Sequence, residues 1–214
     1  MRYFMLAAVG LTIGMANEPK VAHAVLITGV TASTNMGSGF GTNLQNTVNG
    51  VGLSSLSLTA SHAASVPTNS WVSSGGILTG LVTFNLNGLY SLEGFSFWNQ
   101  NNGGPGPLGS TGIRDVQVST SLNGVTFTSL AGGPTTFSRA TTLVSLPAIF
   151  GFGPVDAAFV RFNILSNYGD TFQTGFAEAQ FNGTAVVPEP STFGMGLLGA
   201  LGVGYAWRRR RATA

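Results

Sequence analysis

Few side chains in this chain can do chemistry, and they are scattered. Its 214 residues include two histidines, seven Asp or Glu, nine Lys or Arg and no cysteine. A nucleophile–His–carboxylate triad needs a histidine. His62 is the one that stays if the N-terminal segment bearing His23 is removed. No G-x-S-x-G elbow is present to expose a serine. The run Gly37-Ser38-Gly39-Phe40-Gly41 lacks the G-x-G-x-x-G spacing of a dinucleotide site. Structural and catalytic zinc draw on several Cys and His, which this composition cannot supply. Glu93, Asp115, Asp156, Asp170 and Glu178 could pair in space as acid and base, but most fall where turns and strand edges explain them. The reading is a protein that is not an enzyme.

Charge sharpens the exclusion. Only 7% of residues are charged, against about 25% in ordinary domains. The mean hydropathy is +0.30 and the isoelectric point 9.4, with a formal net charge of +2. The basic excess sits at the ends: Arg2 and Lys20 against Glu18 at the front, and Arg208, Arg209, Arg210 and Arg211 at the back. Between them Arg114, Arg139 and Arg161 face six carboxylates, a net charge of −3. Nucleic-acid binding needs several Lys or Arg on one face, so no nucleic-acid partner is expected. Without cysteine an exported chain has no disulfides to lean on, and a packed core must hold it.

Both ends read as addresses. Arg2, the apolar stretch Phe4–Ala16 and the small residues Ala22 and Ala24 around His23 form a signal peptide over 1–24, cut by signal peptidase after Ala24. A buried N-terminal helix is the alternative, and Pro19 would break it. Ser191 to Trp207 holds 17 residues without a charge. As a helix it spans roughly 25 Å, the short limit for crossing a bilayer. Tyr205 and Trp207 suit the interface, and Arg208 to Arg211 act as a cytoplasmic stop. Gly196, Ala200 and Gly204 form a small-xxx-small row, which glycine-rich composition explains equally well. A single C-terminal transmembrane helix over 191–207 follows, with an Arg-rich tail over 208–214.

Val187-Pro188-Glu189-Pro190, the short span and the terminal arginines, in that order, resemble the PEP-CTERM sorting tail of Gram-negative surface proteins. The resemblance covers about 28 residues. It implies recognition and tail removal by an exosortase, in bacteria that make exopolysaccharide, biofilms or flocs. The alternative is a plain single-pass anchor with a Pro-rich hinge. On either reading the chain crosses the inner membrane, is anchored there, and goes to the cell surface or extracellular space.

The intervening body reads as β structure. Leu78–Leu86 and Tyr90–Asn99 are rich in β-branched and aromatic residues and flank Asn87-Gly88. Gly112–Ser121 and Val125–Leu130 flank Asn123-Gly124, a hairpin signal. Ala157–Ser166 puts Val160, Phe162 and Ile164 on one face, and Phe172–Gly183 is a last strand. Residues 32–50 and 99–112 read as polar surface loops. An antiparallel β-sandwich over 25–183 is expected, with 184–190 a stalk carrying the V-P-E-P motif.

Six pieces in order carry a second resemblance. They are Trp71-Val72-Ser73-Ser74; Val82 to Leu86 with Leu92 to Asn99; Gly112 to Ser119; Asn123 to Phe127; Val160-Arg161-Phe162 with Ser166 to Gly169; and Gly175 to Phe181. Together they are similar to the galactose-binding-like, discoidin or coagulation-factor C-type domain, over roughly residues 46–183. The resemblance implies an all-β jelly roll of about eight strands. In many relatives the loops at one end bind carbohydrate, here an exopolysaccharide, while the ligand-binding residues stay unassigned. It also implies a structural Ca²⁺, with Asn49, Asn69, Ala177 and Glu178 at the matching positions. Calcium takes six to eight oxygens, and Asn in place of the usual Asp removes a charge. Glu178 bonded only to backbone donors is the alternative. Trp71 matches a core Trp rather than a sugar platform. Trp98 suits packing or ligand contact. Arg161 fits an ion pair with Asp115 or a ligand carboxylate.

Overall fold

A computed structural model describes residues 24–102 and 106–186. The signal segment with Ala22, the Val187–Pro190 motif, the apolar span and the four terminal arginines lie outside them. Eight strands appear in order: β1 (Val25–Leu26), β2 (Thr31–Thr34), β3 (Trp71–Val72), β4 (Gly80–Asn99), β5 (Val116–Ser121), β6 (Thr128–Ser129), β7 (Ala148–Ile164) and β8 (Gly175–Ala185). Their pairings are all antiparallel. Among the described residues the one helical element is the 3-10 turn Leu44–Thr47, and no helix is long and apolar enough to cross a membrane.

Two long strands build both layers. The first half of β4 lies between β2 and β7, and its second half between β7 and β8. The strand turns over near Asn87, where the register with β7 shifts and the backbone takes φ +57°. The Asn85 side chain accepts the Asn87 N–H at 2.9 Å and fixes this corner. Val82, Phe84 and Leu86 alternate with wetter neighbours, the period of a strand with one buried face. Across the core Phe84 meets Phe181 of β8 at 5.1 Å between ring centroids, and Phe95 meets Phe162 of β7 at 5.4 Å. Facing layers joined by aromatic side chains make a β-sandwich. The second half of β4 is buried on its outer face too. Segment 51–70 covers it, its Leu58 and Ala60 carbonyls accepting Ser96 Oγ at 2.6 Å and Trp98 Nε1 at 2.9 Å.

The all-β expectation holds, while several boundaries move. The strands read on either side of Asn87-Gly88 form one continuous run, Gly80–Asn99. The strand expected from Ala157 begins at Ala148. Gly151, Gly153 and Pro154 look like a turn, but the first half of β7 pairs only with β4 and is a sheet edge, where proline is tolerated. The last strand starts at Gly175 and runs on to Ala185. The Asn123-Gly124 turn does join β5 to β6, with Gly124 at φ +72°, although β6 keeps only two residues. The loop read over 99–112 is pinned at its start. Buried Asn101 accepts Ser65 N–H at 2.7 Å and donates to the Ala63 and Leu143 carbonyls at 2.9 and 2.7 Å. Residues 32–50 contain β2 and the 3-10 turn.

Candidate functional site

The two ends of the sandwich differ. Val25 pairs with Gly183, so the described domain begins and ends at the C-terminal end of β8. Phe172 and Gln173 precede Gly175 and sit at the opposite end. Eleven residues of strand separate the two ends, about 35 Å.

A cleft of about 490 Å³ opens among the loops at that far end. Its apolar lining includes Phe40, Val66 and Phe172, and its polar lining Gln100, Thr111 and Asp170. Phe40 and Phe172 are 69% and 54% exposed, with ring centroids 6.3 Å apart at 50°. Phe40 holds φ +51°, a costly conformation for a residue with a side chain. Its loop is clamped by Gly39, whose N–H donates to the Val72 carbonyl at 2.9 Å. A Cβ at Gly39 would lie 2.1 Å from Gln173 Nε2 and 2.5 Å from the Ser73 carbonyl, so only glycine lets the loop come this close. Phe172 is set by Asp170, whose carboxylate accepts the Phe172 and Gln173 N–H groups at 2.8 Å each. Asn167 ties down the same turn by donating to the Asp170 and Gln173 carbonyls at 2.9 Å. A second depression, about 700 Å³, lies beside Ser121, Asn123 and Asp156, and no aromatic ring lines it.

The residues expected at a metal are brought together only in part. Glu178 is fully buried on β8. Its Oε1 accepts the Gly50 N–H at 2.8 Å and the Gln180 amide at 3.2 Å. Its Oε2 is buried without a partner among the described residues. Burial pushes this carboxyl up to about 8, against smaller opposing pulls from those two donors. Asn49 borders Gly50, but it is exposed and its amide oxygen caps Val51 N–H at 3.0 Å. Asn69 spends its amide on Val66 N–H and the Ala64 carbonyl. Ala177 is buried beside Glu178. Among the described residues no three His, Cys, Asp or Glu side chains gather as a metal cluster. A cation here would rest on Glu178 Oε2 and on neutral oxygens, a donor set calcium accepts.

The remaining candidates fall into place. His62 is fully buried, and its Nδ1 lies 2.6 Å from the Ala63 carbonyl. That contact puts the proton on Nδ1, while burial pushes the imidazole below its ordinary range. Among the described residues no carboxylate hydrogen-bonds to it. Trp71 is core, donating to the Gly37 carbonyl at 2.9 Å and packing edge-on against Phe176. Trp98 is core as well. The Arg161–Asp115 pair does not form. Arg161 donates to Thr83 and lies 3.5 Å over the Phe127 ring. Asp115 instead binds Arg114 at 2.9 Å and Ser166. The hydroxyl of Ser166, then the Arg114 guanidinium, holds its carboxyl below the usual range. The cleft residues Phe40, Phe172, Gln100 and Thr111 escape the sequence reading. Their one signal is a lone phenylalanine in each of two polar, glycine-bearing loops.

Comparison with known proteins adds two findings. Residues 186–211 match the PEP-CTERM protein-sorting motif, a signal for export and membrane-anchored sorting. The domain has the fold of family 32 carbohydrate-binding modules, the discoidin or galactose-binding-like type. The module from Clostridium perfringens NanJ, solved in complex with galactose, aligns at TM-score 0.51 and 15% identity over 75% of this chain and 99% of its own. A family 32 module of a family 31 glycoside hydrolase, solved bound to GalNAc, aligns at 0.50 and 17% over 75% and 98%. The family 89 glycoside hydrolase of Clostridium perfringens aligns at 0.48 and 19% over 77% of this chain. The present chain spans 16% of that enzyme's length. No curated protein matches the sequence.

Proposed function

We propose that this is an exported, non-enzymatic cell-surface or extracellular-matrix protein. Signal peptidase removes residues 1–24, and an exosortase processes the tail after the membrane has held it. The sorting motif at 186–211 carries this reading. The order of apolar span and terminal arginines supports the direction of insertion, body outside and Arg208–Arg211 inside. Mass spectrometry of the mature protein's C-terminus tests it. A new terminus at or near Val187–Pro190 is expected, and a surface form still ending at Ala214 overturns exosortase processing.

The cleft favours a second, compatible reading as a carbohydrate-binding module that grips exopolysaccharide through its loops. Exposed aromatic rings beside polar groups in a largely preformed hollow are what sugar recognition requires. Structural Ca²⁺ belongs to the same proposal. The orphan Glu178 Oε2 supports it, with Ala177 and the Asn49–Gly50 turn the nearest candidates for further oxygens, and Asn69 needing to release its turn. When bound, the ion would supply positive charge that keeps Glu178 ionised and ties β8 to the loop.

A further inference from the structure

Arg161 has no carboxylate partner, and the register of the sheet shows what surrounds it. Thr83, Arg161 and Ser119 stand opposite one another on β4, β7 and β5. Ser33 of β2 faces Thr83, and Ser129 of β6 faces Ser119. Together they make one row across five strands, roughly 19 Å long at the spacing of neighbouring strands. Val82, Phe84, Val118, Val160 and Phe162 belong to the core, so alternation turns this row to the outer face. Asn85, Gln117 and Asn163 share that face, and none of these row and face residues is buried.

The guanidinium is held in one pose. Its Nε donates to Thr83 Oγ1 at 3.0 Å, and its central carbon lies 3.5 Å from the centre of the Phe127 ring. The two Nη nitrogens have no hydrogen-bond partner among the described residues, and neither is buried. A fixed, accessible pair of N–H donors fits a carboxylate, which accepts both. Among the described residues no acid shares this face. Glu93 and Asp156 lie past the Asn87 corner, Asp170 lines the cleft, and Glu178 is buried. Asp115 precedes β5 and is bonded to Arg114 and Ser166, about 13 Å along the strand from Ser119. One cation is too few for a nucleic acid, and the face lacks the apolar centre of a protein interface. A strand of acidic sugars brings a carboxylate for the cation and hydroxyls for the flanking Ser, Thr, Asn and Gln.

We infer that this outer sheet face is a binding surface for an acidic polysaccharide, separate from the loop-end cleft, with a uronate carboxylate on the Arg161 Nη pair. Sugar hydroxyls meet Thr83 and Ser119 on either side, and Ser33 and Ser129 further along the row. The surface stands apart from the cleft, and either can fail alone. The test is biolayer interferometry of the full-length protein in detergent. Immobilised polygalacturonate is set beside the same polymer with its carboxyls reduced to alcohols. The variants are Arg161→Gln and Ser119→Glu, the second of which sets a negative charge opposite Arg161 and keeps its stacking on Phe127. Circular dichroism checks that each is folded, and if Arg161→Gln is not, Ser119→Glu decides alone. The wild type should prefer the polyuronate and bind it more weakly as salt rises. Each folded variant should lose at least about fivefold in affinity. No binding to the polyuronate, or equal binding to both polymers, overturns the inference. Polyuronate binding that survives Ser119→Glu overturns the site. Binding of the reduced polymer alone overturns this surface and leaves the cleft reading standing.

Discussion

Glu178 is the residue at which burial, charge and the proposed ion meet. Its folded carboxyl holds a proton up to about pH 8, whereas the ordinary value for the unfolded chain is 4.5. Between those values the native state binds more protons than the unfolded one. Without metal, stability therefore falls as pH rises through that window, by at most about 1.4 kcal/mol per pH unit. Glu178→Gln removes the ionisation and should flatten the profile, as thermal melting from pH 5 to 8.5 would register. Superimposable pH profiles for the two proteins would contradict a protonated buried carboxyl. Calcium reverses the sign, because an ion beside Oε2 favours the charged form. Added calcium should raise the Tm of the wild type at pH 8 and leave Glu178→Gln unmoved. An unmoved wild type sinks the ion. The Ala-Glu pair of the last strand singles out Glu178 in the sequence, and the structure buries its carboxyl. Asn49 and Asn69 matched the same pattern, but their amides are spent on local turns, which no linear motif reveals. Arg161 misled for a related reason. β5 and β7 do become neighbours, but their register sets Arg161 opposite Ser119 and Asp115 beside Leu165 and Ser166, and Arg161 lies over the Phe127 ring instead.

At the scale of elements, what repeats every second residue was easy to read and what bends was not. Val82, Phe84 and Leu86 announce the first half of β4, and Val160, Phe162 and Ile164 the second half of β7. Asn87-Gly88 was read as a break between two strands, and it is the corner by which one strand passes from one layer to the other. The first half of β7 was hidden because an unpartnered edge tolerates the glycines and proline that ordinarily mark turns. The corner makes a specific demand. Asn87 sits at φ +57°, a region open to Gly and Asn and strained for branched side chains. Asn87→Gly should change unfolding free energy by less than about 0.5 kcal/mol, while Asn87→Val should cost about 1–2 kcal/mol. Urea denaturation distinguishes the two. Equal losses would mean that the Asn87 side chain itself, and not the backbone conformation, holds the corner, since the Asn85 side chain bonds the backbone N–H of residue 87 in either variant.

For the whole molecule, the charge distribution separates precursor from product. The isoelectric point of 9.4 belongs to the full chain. Removal of both ends leaves three arginines against at least five carboxylates, and the mature form should focus below pH 7. Loss of the signal segment alone leaves the four terminal arginines and a net charge of +1, so a basic mature form would show that the tail is retained. The low charge of the body suits a domain surfaced by Ser, Thr, Asn and Gly, with a core dense in phenylalanine.

Both ends of the described domain lie at one pole of the sandwich and the cleft opens at the other. Were the tail to hold a copy to a surface, the cleft would lie at the pole away from the point of attachment, and neighbouring copies would present it likewise. On the carbohydrate-binding proposal one small cleft would engage one or two sugar units, and such contacts are weak when single. A polysaccharide, though, repeats its units over lengths far beyond the roughly 35 Å of this domain. A strand laid across a field of outward-facing clefts would be bound by avidity, each engaged copy raising the effective concentration of the next. Retention would then depend on how densely the protein is displayed, and release of a copy from its anchor would weaken the grip on that strand without any change in the cleft.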